Sequence, residues 1–248
     1  MKKFKNLKTF FNFKNLKYNN FKYIADLFKF KKLGGNVTHF YPMLNDLSQQ
    51  AGTSKGHYFH QDLLVASYIY KANPITHIDI GSRIDGFVAH VASFRKIEII
   101  DIRDLRDIGH ENIFFKKIDI MDSNNHLQVT DSLSCLHAIE HFGLGRYGDK
   151  LDPNGHIKGF NNILKMIKTG GTLYISFPVS KDNEIHFNSQ RVFKPTEIFN
   201  WPDEENIITL QRFDYVNLQG ELELNVKISD VENINGIGCG IYTFIKEK

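Results

Sequence analysis

The amino-acid sequence predicts an α/β fold built on a doubly wound, mostly parallel sheet of seven strands. From residue 75 onward, short apolar runs alternate with segments whose apolar residues have helical spacing. Several of these runs end in an acidic residue, a glycine or a proline, as strands do before a loop. The chain has 248 residues, of which 42% are hydrophobic. This size suits one such domain with an attached N-terminal segment.

The order of the elements follows from the same patterns. The predicted strands are 76–80, 97–101, 113–118, 132–136, 172–177, 207–216 and 239–246, and the predicted helices are 84–94 and 157–168, with a short one after Pro195. We expect Gly170-Gly171 to cap the second of these helices. A further helix that contains residues 62–70 precedes the first strand and is stopped by Pro74.

Residues 1–35 form a separate basic segment, and residues 36–248 form the predicted domain. The segment holds ten lysines and one acid, Asp26, whereas the remaining 21 basic and 27 acidic residues leave the domain mildly acidic. Its apolar residues recur at roughly helical spacing, which predicts a basic amphipathic helix that ends at Gly34-Gly35. Such a helix either packs on the domain or a partner chain, lies on an anionic membrane surface, or binds nucleic acid. The last is disfavoured, because a lysine-rich segment without arginine reads bases poorly.

Cysteine usage and hydropathy narrow the class of protein. Cys135 and Cys239 are the only cysteines, too few for a cysteine-rich zinc site or a disulfide scaffold. The sequence shows neither a run of membrane-spanning length nor the pattern of a signal peptide. We therefore expect a cytoplasmic protein, with peripheral membrane contact through residues 1–33 as an alternative.

Polar residues gather where the predicted parallel strands end. Asp79 and Gly81 end the first strand, and Asp101 ends the second. Ligands of doubly wound sheets bind outside the carboxyl ends of the strands, and a carboxylate at the second tip suits the two hydroxyls of a ribose. The position of Asp101 thus predicts a cofactor that carries a nucleoside.

The order of these motifs resembles that of class I S-adenosylmethionine-dependent methyltransferases. The matching pieces are Asp79-Ile-Gly-Ser82, the acid Asp101, Asp119 after the third strand, His137-Ala-Ile-Glu-His141 after the fourth, and Leu164-Lys-Met-Ile-Lys-Thr-Gly-Gly171. The last is similar to the Leu-Lys-Pro-Gly-Gly segment of that superfamily, with Thr in place of Pro. The resemblance covers roughly residues 50–246 and implies the Rossmann-like methyltransferase fold and S-adenosylmethionine as cofactor.

A narrower resemblance comes from residues 56–62 together with residues 79–94. These resemble a family of uncharacterised bacterial and nematode proteins, known as domain of unknown function 268. Bacterial members of that family are often linked with the synthesis of surface polysaccharides. The resemblance implies a sugar or a sugar conjugate as acceptor, and a bacterial source.

The superfamily resemblance also implies which residues hold the cofactor. Residues at the end of the first strand would border the amino-acid portion of the cofactor. Residues at the end of the second strand would hold its ribose, and residues after the third strand would lie near its adenine. The expected set is Asp79, Gly81, Ser82, Arg83, Asp101, Ile102, Asp119, Ile120 and His137.

Arg83 and Asp85 depart from the superfamily pattern, which has small residues at these positions. Glycine lets the backbone approach the methionine moiety closely, and an arginine changes that surface. Arg83 could act at the pocket, where it would narrow the cavity or pair with a carboxylate or phosphate of a ligand. The alternative is that Arg83 points to solvent and pairs with Asp85 or Asp104.

Methyl transfer to a hydroxyl needs alignment and a base that accepts the proton. Histidine has a suitable pKa, and His141 is the first candidate, with His137 second and Glu140 beside them. In a helix, the spacing of four residues would place both histidines on one face. The alternative is that the pair only shapes the pocket. A metal held by both histidines and an acid is disfavoured, because this spacing alone is weak, and no metal is expected.

Acceptor binding is expected from two further segments. Arg146 and Tyr147 lie in a glycine-rich loop after the fourth strand, where they could grip a phosphate and stack on a sugar. His57 and His60 precede the first helix of the domain, as a lid over the pocket or as caps and core contacts. The alternative is that residues 143–153 form a surface loop only.

Together these features predict an S-adenosylmethionine-dependent methyltransferase, most simply one that O-methylates a sugar or sugar conjugate during surface-polysaccharide synthesis. The alternative is a non-catalytic, or differently catalytic, Rossmann-like module of a polysaccharide assembly system. A nicotinamide oxidoreductase is weaker, because the chain lacks the full Gly-x-Gly-x-x-Gly turn.

Overall fold

The computed structural model describes residues 5–106, 108–122, 129–204 and 207–247, with the side chains of residues 5–17 and Ser48 left aside. The chain divides into two compact units, Met1–Ser54 and Lys55–Lys248. The sequence predicted the boundary between segment and domain at residue 35. The structure instead groups residues 36–54 with the N-terminal unit.

The N-terminal unit contains one long helix, α1 (Lys5–Lys32). Gly34 follows with a φ of 90°, and the helix ends at the expected glycine pair. The side-chain amide of Asn19 donates to the carbonyl of Leu44, which ties the following loop to the helix. Phe4 lies outside the described residues, as do the side chains of Leu7, Phe10, Phe11, Phe13 and Leu16, so the amphipathic pattern can be followed only from Tyr18 onward.

The second unit is an α/β domain whose sheet has the order β3-β2-β1-β4-β5-β10-β8-β9. Its strands are β1 (His77–Ile80), β2 (Ile97–Asp101), β3 (Ile113–Lys117), β4 (Thr130–Leu136), β5 (Ile167–Val179), β8 (Ile208–Val216), β9 (Leu222–Glu223) and β10 (Gly238–Lys246). Strands β1 to β5 pair in parallel, and β10 runs antiparallel to β5 and β8. The predicted seven-stranded, mostly parallel sheet is confirmed, and the two-residue β9 extends its edge. A separate hairpin joins β6 (Glu184–His186) to β7 (Gln190–Val192).

Helices cover both faces of this sheet, which explains why its central strands are apolar on both sides. On one face, α4 (Gly155–Met166) packs through Phe160, Ile163 and Leu164. On the other face, α2 (His57–Ala72) packs through Val65 and Ile69 against α3 (Ala89–Ala92) and the strands. Among the described residues, no helix combines the length and the hydropathy needed to cross a membrane.

Two predicted helix boundaries are wrong. The helix predicted from residue 84 begins with a π-helical turn, Ile84–Val88, in which Gly86 leaves helical geometry, and α3 ends at Ala92. Gly170-Gly171 does not cap α4, because α4 ends at Met166 and the buried Ile167 already pairs with Thr130 of β4. The chain passes directly from helix to strand, and Gly170, with a φ of 79°, lies within β5 at the shifted register.

His57 and His60 do not precede the first helix of the domain but lie in its first turn. Gly56 has a φ of 98° and occupies the N-cap position, so helical geometry begins at His57. Asn73, in the left-handed conformation, ends this helix just before Pro74, where the sequence predicted its end.

Candidate functional site

A pocket opens at the carboxyl edge of the sheet, at the tips of β1, β2 and β4 and the segment after β3. It brings together eight of the residues predicted from the sequence, namely Gly81, Asp101, Ile102, Asp119, Ile120, His137, His141 and Tyr147. Much of the remaining wall is apolar, from Ile80, Ile100, Ile118, Met121, Ala138 and Phe142. An apolar cleft with a few polar groups is typical of a small-molecule site.

Gly81 forms the tight turn after β1. Its φ of 71° lies in the left-handed region, and a Cβ built on it would lie 3.0 Å from the Cβ of Ala138. Its N–H donates to the carbonyl of Ile100, which closes the turn against β2. Position 81 therefore requires glycine for two reasons, its positive φ and the closeness of the tips of β1 and β4.

Asp79 and Ser82 support this turn from beneath and do not line the pocket. The backbone N–H and the hydroxyl of Ser82 donate to the carboxylate of Asp79 at 3.0 and 2.8 Å, and the hydroxyl of Ser134 donates to it as well. Asp79 is fully buried, and this burial raises its pKa to about 7 against the opposing hydrogen bonds. Their place in the structure favours a role in shaping the turn.

Asp101 lies at the tip of β2 with its carboxylate held by Arg103. The Nε and Nη2 groups of Arg103 donate to the two carboxylate oxygens at 2.9 and 2.6 Å. The same guanidinium lies 4.5 Å from the ring centroid of Tyr147. The backbone N–H of Arg103 also donates to Oδ1 at 2.8 Å, so the free lone pair that Asp101 can offer to a ribose diol is on Oδ2. The sequence reasoning did not assign a role to this arginine.

Arg83 lies outside the pocket. Its guanidinium donates to both carboxylate oxygens of Asp85, at 3.1 and 2.8 Å, and the pair is exposed to solvent. This arrangement matches the alternative in which Arg83 points to solvent and pairs with Asp85. The arginine thus leaves the Gly81 turn unobstructed.

Asp119 and Ile120 form the wall that follows β3. The carboxylate of Asp119 accepts a hydrogen bond from the N–H of Met121 at 2.9 Å, and Ile120 is buried. The carbonyl of Ile120 accepts from the amide of Asn162 in α4, which fixes this wall to the sheet. An apolar slot with a carboxylate at its margin suits a flat heteroaromatic ring with an exocyclic amine.

His137 and His141 do not share a helical face, because His137 stands in a left-handed turn with a φ of 49° before the single 3-10 turn Ile139–His141. They flank Glu140 instead. Nδ1 of His137 lies 2.8 Å from Oε1 of Glu140, and Nε2 of His141 lies 3.7 Å from the same oxygen. All three side chains are almost completely buried.

The surroundings of His141 favour the neutral imidazole. Burial is the main cause that lowers its pKa, and the nearby Arg146 adds to the effect although Glu140 opposes it. Its Nδ1 lies 2.7 Å from the carbonyl oxygen of Ser189, which can only accept, so Nδ1 carries the proton and Nε2 carries the lone pair. Such a group can accept a proton from a substrate.

His137 has a different environment. Burial alone would lower its pKa, but the neighbouring Cys239 and Glu140 raise that pKa well above its usual value. The ring stacks on His57 at a centroid distance of 5.2 Å and lies 5.1 Å from the ring of Tyr58. His57 therefore contacts the predicted catalytic group. His60 does not line the pocket and lies one turn further along α2.

The loop after β4 is ordered by a carboxylate that the sequence reasoning overlooked. Asp149 accepts hydrogen bonds from the backbone N–H groups of Gly143, Gly145 and Tyr147 at 2.8 to 3.1 Å. Arg146 donates to the carbonyl of Ser189 and so lies at the margin of the pocket beside His141. These hydrogen bonds fix the loop that carries Arg146 and Tyr147. The glycine-rich sequence of the loop did not indicate that Asp149 would accept them.

Part of the chain matches a known protein family. Residues 115–199 match the family model described as "Caenorhabditis protein of unknown function, DUF268". No curated protein sequence is significantly similar to the chain.

Solved structures share the fold at low sequence identity. The [4+2]-cyclase SpnF has a TM-score of 0.55 and 13% identity, over 83% of this chain and 92% of that one. The N-methyltransferase NodS from Bradyrhizobium japonicum, in complex with S-adenosyl-L-homocysteine, has a TM-score of 0.51 and 14% identity, over 85% and 94%. An O-methyltransferase of a Brevibacillus brevis multienzyme, also in complex with S-adenosyl-L-homocysteine, has a TM-score of 0.52 and 10% identity, over 75% and 71%. The chain has the Rossmann-like methyltransferase fold.

Proposed function

We propose that the chain is an S-adenosylmethionine-dependent methyltransferase that O-methylates a sugar or sugar conjugate. The observation that supports it most strongly is the pocket at the carboxyl edge of the sheet, in which Gly81, Asp101 and Ile120 stand at three successive strand tips. Neighbours of the same fold were solved with S-adenosyl-L-homocysteine. The acceptor rests on the resemblance to a family linked with surface polysaccharides. The proposal that the protein works in the cytoplasm rests instead on its low cysteine content.

The residues present fit the cofactor. The Gly81 turn, where a Cβ would crowd Ala138, leaves room for the amino-acid portion, and Asp101 can accept the ribose hydroxyls. The adenine would lie between Ile102 and Ile120, with Asp119 beside its amine. When bound, S-adenosylmethionine supplies an electrophilic methyl group. Asp79, Ser82 and Arg83 would act indirectly, through the shape of the turn.

His141 is the base that this geometry favours. Its lowered pKa favours the neutral imidazole, and donation from Nδ1 to Ser189 would then leave Nε2 to accept the proton of an acceptor hydroxyl. Arg146 and Tyr147 at the margin of the pocket would hold the acceptor, because a guanidinium binds a phosphate or carboxylate and an aromatic ring stacks on a sugar. Glu140 lies between the two histidines and would orient them.

Calorimetric titration with S-adenosylmethionine tests the proposal directly. We expect wild type to bind it, and Asp101→Ala to bind at least about tenfold more weakly, because hydrogen bonds to a charged group contribute about 1.5–3 kcal/mol. Asp85→Ala is the matched control, since Asp85 is also paired with an arginine but lies outside the pocket. His141→Ala should keep this affinity and lose methyl transfer from labelled cofactor to a panel of nucleotide sugars.

A second candidate function is a reaction other than methyl transfer. The fold neighbour SpnF is a [4+2]-cyclase, so this architecture carries other chemistry. Binding of S-adenosylmethionine by a protein that transfers no methyl group to any acceptor would favour this reading. A folded wild type that binds no S-adenosylmethionine would contradict the methyltransferase proposal and leave only a reaction that does not use this cofactor.

A further inference from the structure

We propose that His57, His137 and Cys239 form a binding site for one zinc ion beside the cofactor pocket. One donor atom of each residue lies within 4.8 Å of the other two. The three-residue site does not rest on methyl transfer; only the assignment of its fourth ligand to an acceptor hydroxyl rests on the proposed function. The site differs from the set considered from the sequence, in which His137 and His141 were joined by an acid.

The fold brings the three residues together from distant parts of the chain. His57 begins α2, His137 stands in the turn that follows β4, and Cys239 is the second residue of β10. Because β10 runs antiparallel to β5, its first residues lie at the carboxyl edge of the parallel strands, where Cys239 pairs with Pro178. The cluster therefore adjoins the pocket, and His137 belongs to both.

The nature of the donors selects the metal. Two imidazoles and a thiolate are ligands that Zn²⁺ prefers, with bonds of about 2.0–2.1 Å to nitrogen and about 2.3 Å to sulfur. In a tetrahedral site, such bonds separate the ligand atoms by roughly 3.3–3.8 Å. A shift of about an ångström in side-chain position brings the present cluster to that geometry.

A buried ring nitrogen of His137 faces the cluster. The side chain of His137 is only 6% exposed, and the polar group near its Nε2 is the sulfur of Cys239, itself one of the three proposed ligands. The other nitrogen, Nδ1, lies 2.8 Å from the carboxylate of Glu140. A histidine that donates one N–H to a carboxylate and offers the other nitrogen to a metal is a common arrangement in zinc sites, because the carboxylate fixes the tautomer and orients the ring.

The charges balance in this arrangement. The thiolate of Cys239 and the carboxylate of Glu140 offset the two positive charges of the ion, and the protons displaced from the thiol and the imidazole leave as H⁺. Burial of a charged group is costly unless it is paired, and here each charge has a partner. Gln61 lies behind the thiol, with Oε1 3.8 Å from its sulfur, and is itself held by the hydroxyl of Ser176.

Three protein ligands leave one position of a tetrahedral zinc ion for a water or a substrate oxygen. Since His137 lines the pocket, that position would serve an acceptor hydroxyl. The ligand class is thus an oxygen-bearing acceptor, held beside the predicted methyl-transfer site.

Zinc binding is measured on the untagged full chain, stripped with a chelator and then titrated calorimetrically with ZnCl₂, with metal content determined by mass spectrometry after dialysis. We expect one Zn²⁺ per chain. Cys239→Ala and His57→Ala should each weaken binding at least about 100-fold, and Glu140→Gln about 10- to 100-fold. Cys135→Ala and His90→Asn are the matched controls, because Cys135 is an equally buried free cysteine and His90 is exposed.

Cobalt substitution identifies the sulfur ligand. Co²⁺ in the wild-type site should show a thiolate-to-metal charge-transfer band that Cys239→Ala loses and Cys135→Ala keeps. His57 is the first residue of α2 and only partly buried, so we expect His57→Ala to fold. If Cys239→Ala does not fold, the zinc affinity of His57→Ala tests the proposal. A wild type without equimolar zinc, or affinity unchanged in a folded His57→Ala, overturns the proposal, whereas the titration with S-adenosylmethionine tests the proposed function separately.

Discussion

At the scale of the residue, conformation and burial decide what each polar group can do. Asp101 lines the pocket although it is already paired with Arg103, whereas Asp79, also an acid at a strand tip, is buried beneath the turn. Sequence position made the two equivalent candidates. Hydrogen bonds from Ser82 and Ser134 show that Asp79 shapes the site rather than lining it.

Comparison of Gly81→Ala with Gly148→Ala separates two reasons for a glycine, the left-handed backbone conformation and the crowding of a neighbouring side chain. Both Gly81 and Gly148 have a positive φ, but a Cβ at Gly148 meets nothing within 4 Å. We expect Gly148→Ala to lower the free energy of unfolding by about 1–2 kcal/mol, the cost of the left-handed conformation, and to leave cofactor affinity unchanged. Gly81→Ala should cost more and weaken S-adenosylmethionine binding, because its methyl group crowds Ala138. Urea denaturation and calorimetry check this, and equal effects of the two variants would contradict it.

Asp79 gives the stability of the fold a pH dependence. Its folded-state pKa, about 7, is above the unfolded value near 3.8, so the folded state binds the proton more tightly. Its contribution is complete below pH 4 and is lost as the pH rises through 7, at up to about 1.4 kcal/mol per pH unit. Asp79→Asn should flatten the unfolding free energy measured by urea denaturation between pH 4 and 7. A variant with the slope of wild type would remove Asp79 as its origin.

At the scale of the element, helix α1 combines exposed apolar residues with lysines. Tyr18, Phe21, Ile24 and Phe28 recur every three or four residues and are 50–77% exposed. A helix of this kind can bind an anionic membrane surface through apolar burial and charge together. Apolar burial and charge respond differently to salt and to substitution, so their contributions to binding by α1 can be separated.

Vesicle sedimentation makes that separation. The full chain should bind vesicles that contain an anionic lipid, less strongly at high salt, and deletion of residues 1–33 should abolish binding. Phe21→Ser with Phe28→Ser should weaken binding to the same vesicles without changing the charge. Binding that survives the deletion would refute the membrane proposal, and binding unchanged by the double substitution would show that Phe21 and Phe28 do not contribute to it.

At the scale of the whole molecule, a ligand that binds only the folded state stabilises it. S-adenosyl-L-homocysteine at about 100 times its Kd should add about 2.7 kcal/mol, which raises Tm by roughly 5–10 °C in a chain of this size. NADH should produce no shift, because the chain lacks the full glycine-rich dinucleotide turn. Differential scanning calorimetry checks both, and a shift with NADH alone would restore the oxidoreductase alternative.

The sequence by itself determined the α/β class and a mostly parallel sheet of seven strands, because apolar runs, strand-ending acids and helical spacing are local patterns. It also indicated Gly81 and Asp101, since residues that end parallel strands lie at the edge where ligands bind, although burial keeps the side chain of Asp79 out of the pocket. Only the tertiary structure decided that Arg83 turns outward to Asp85, that Asp149 closes the loop, and that His57 and Cys239 meet at His137. Only the last of these contacts joins residues far apart in the chain. The other two are local but depend on where side chains turn, which periodicity and spacing do not specify.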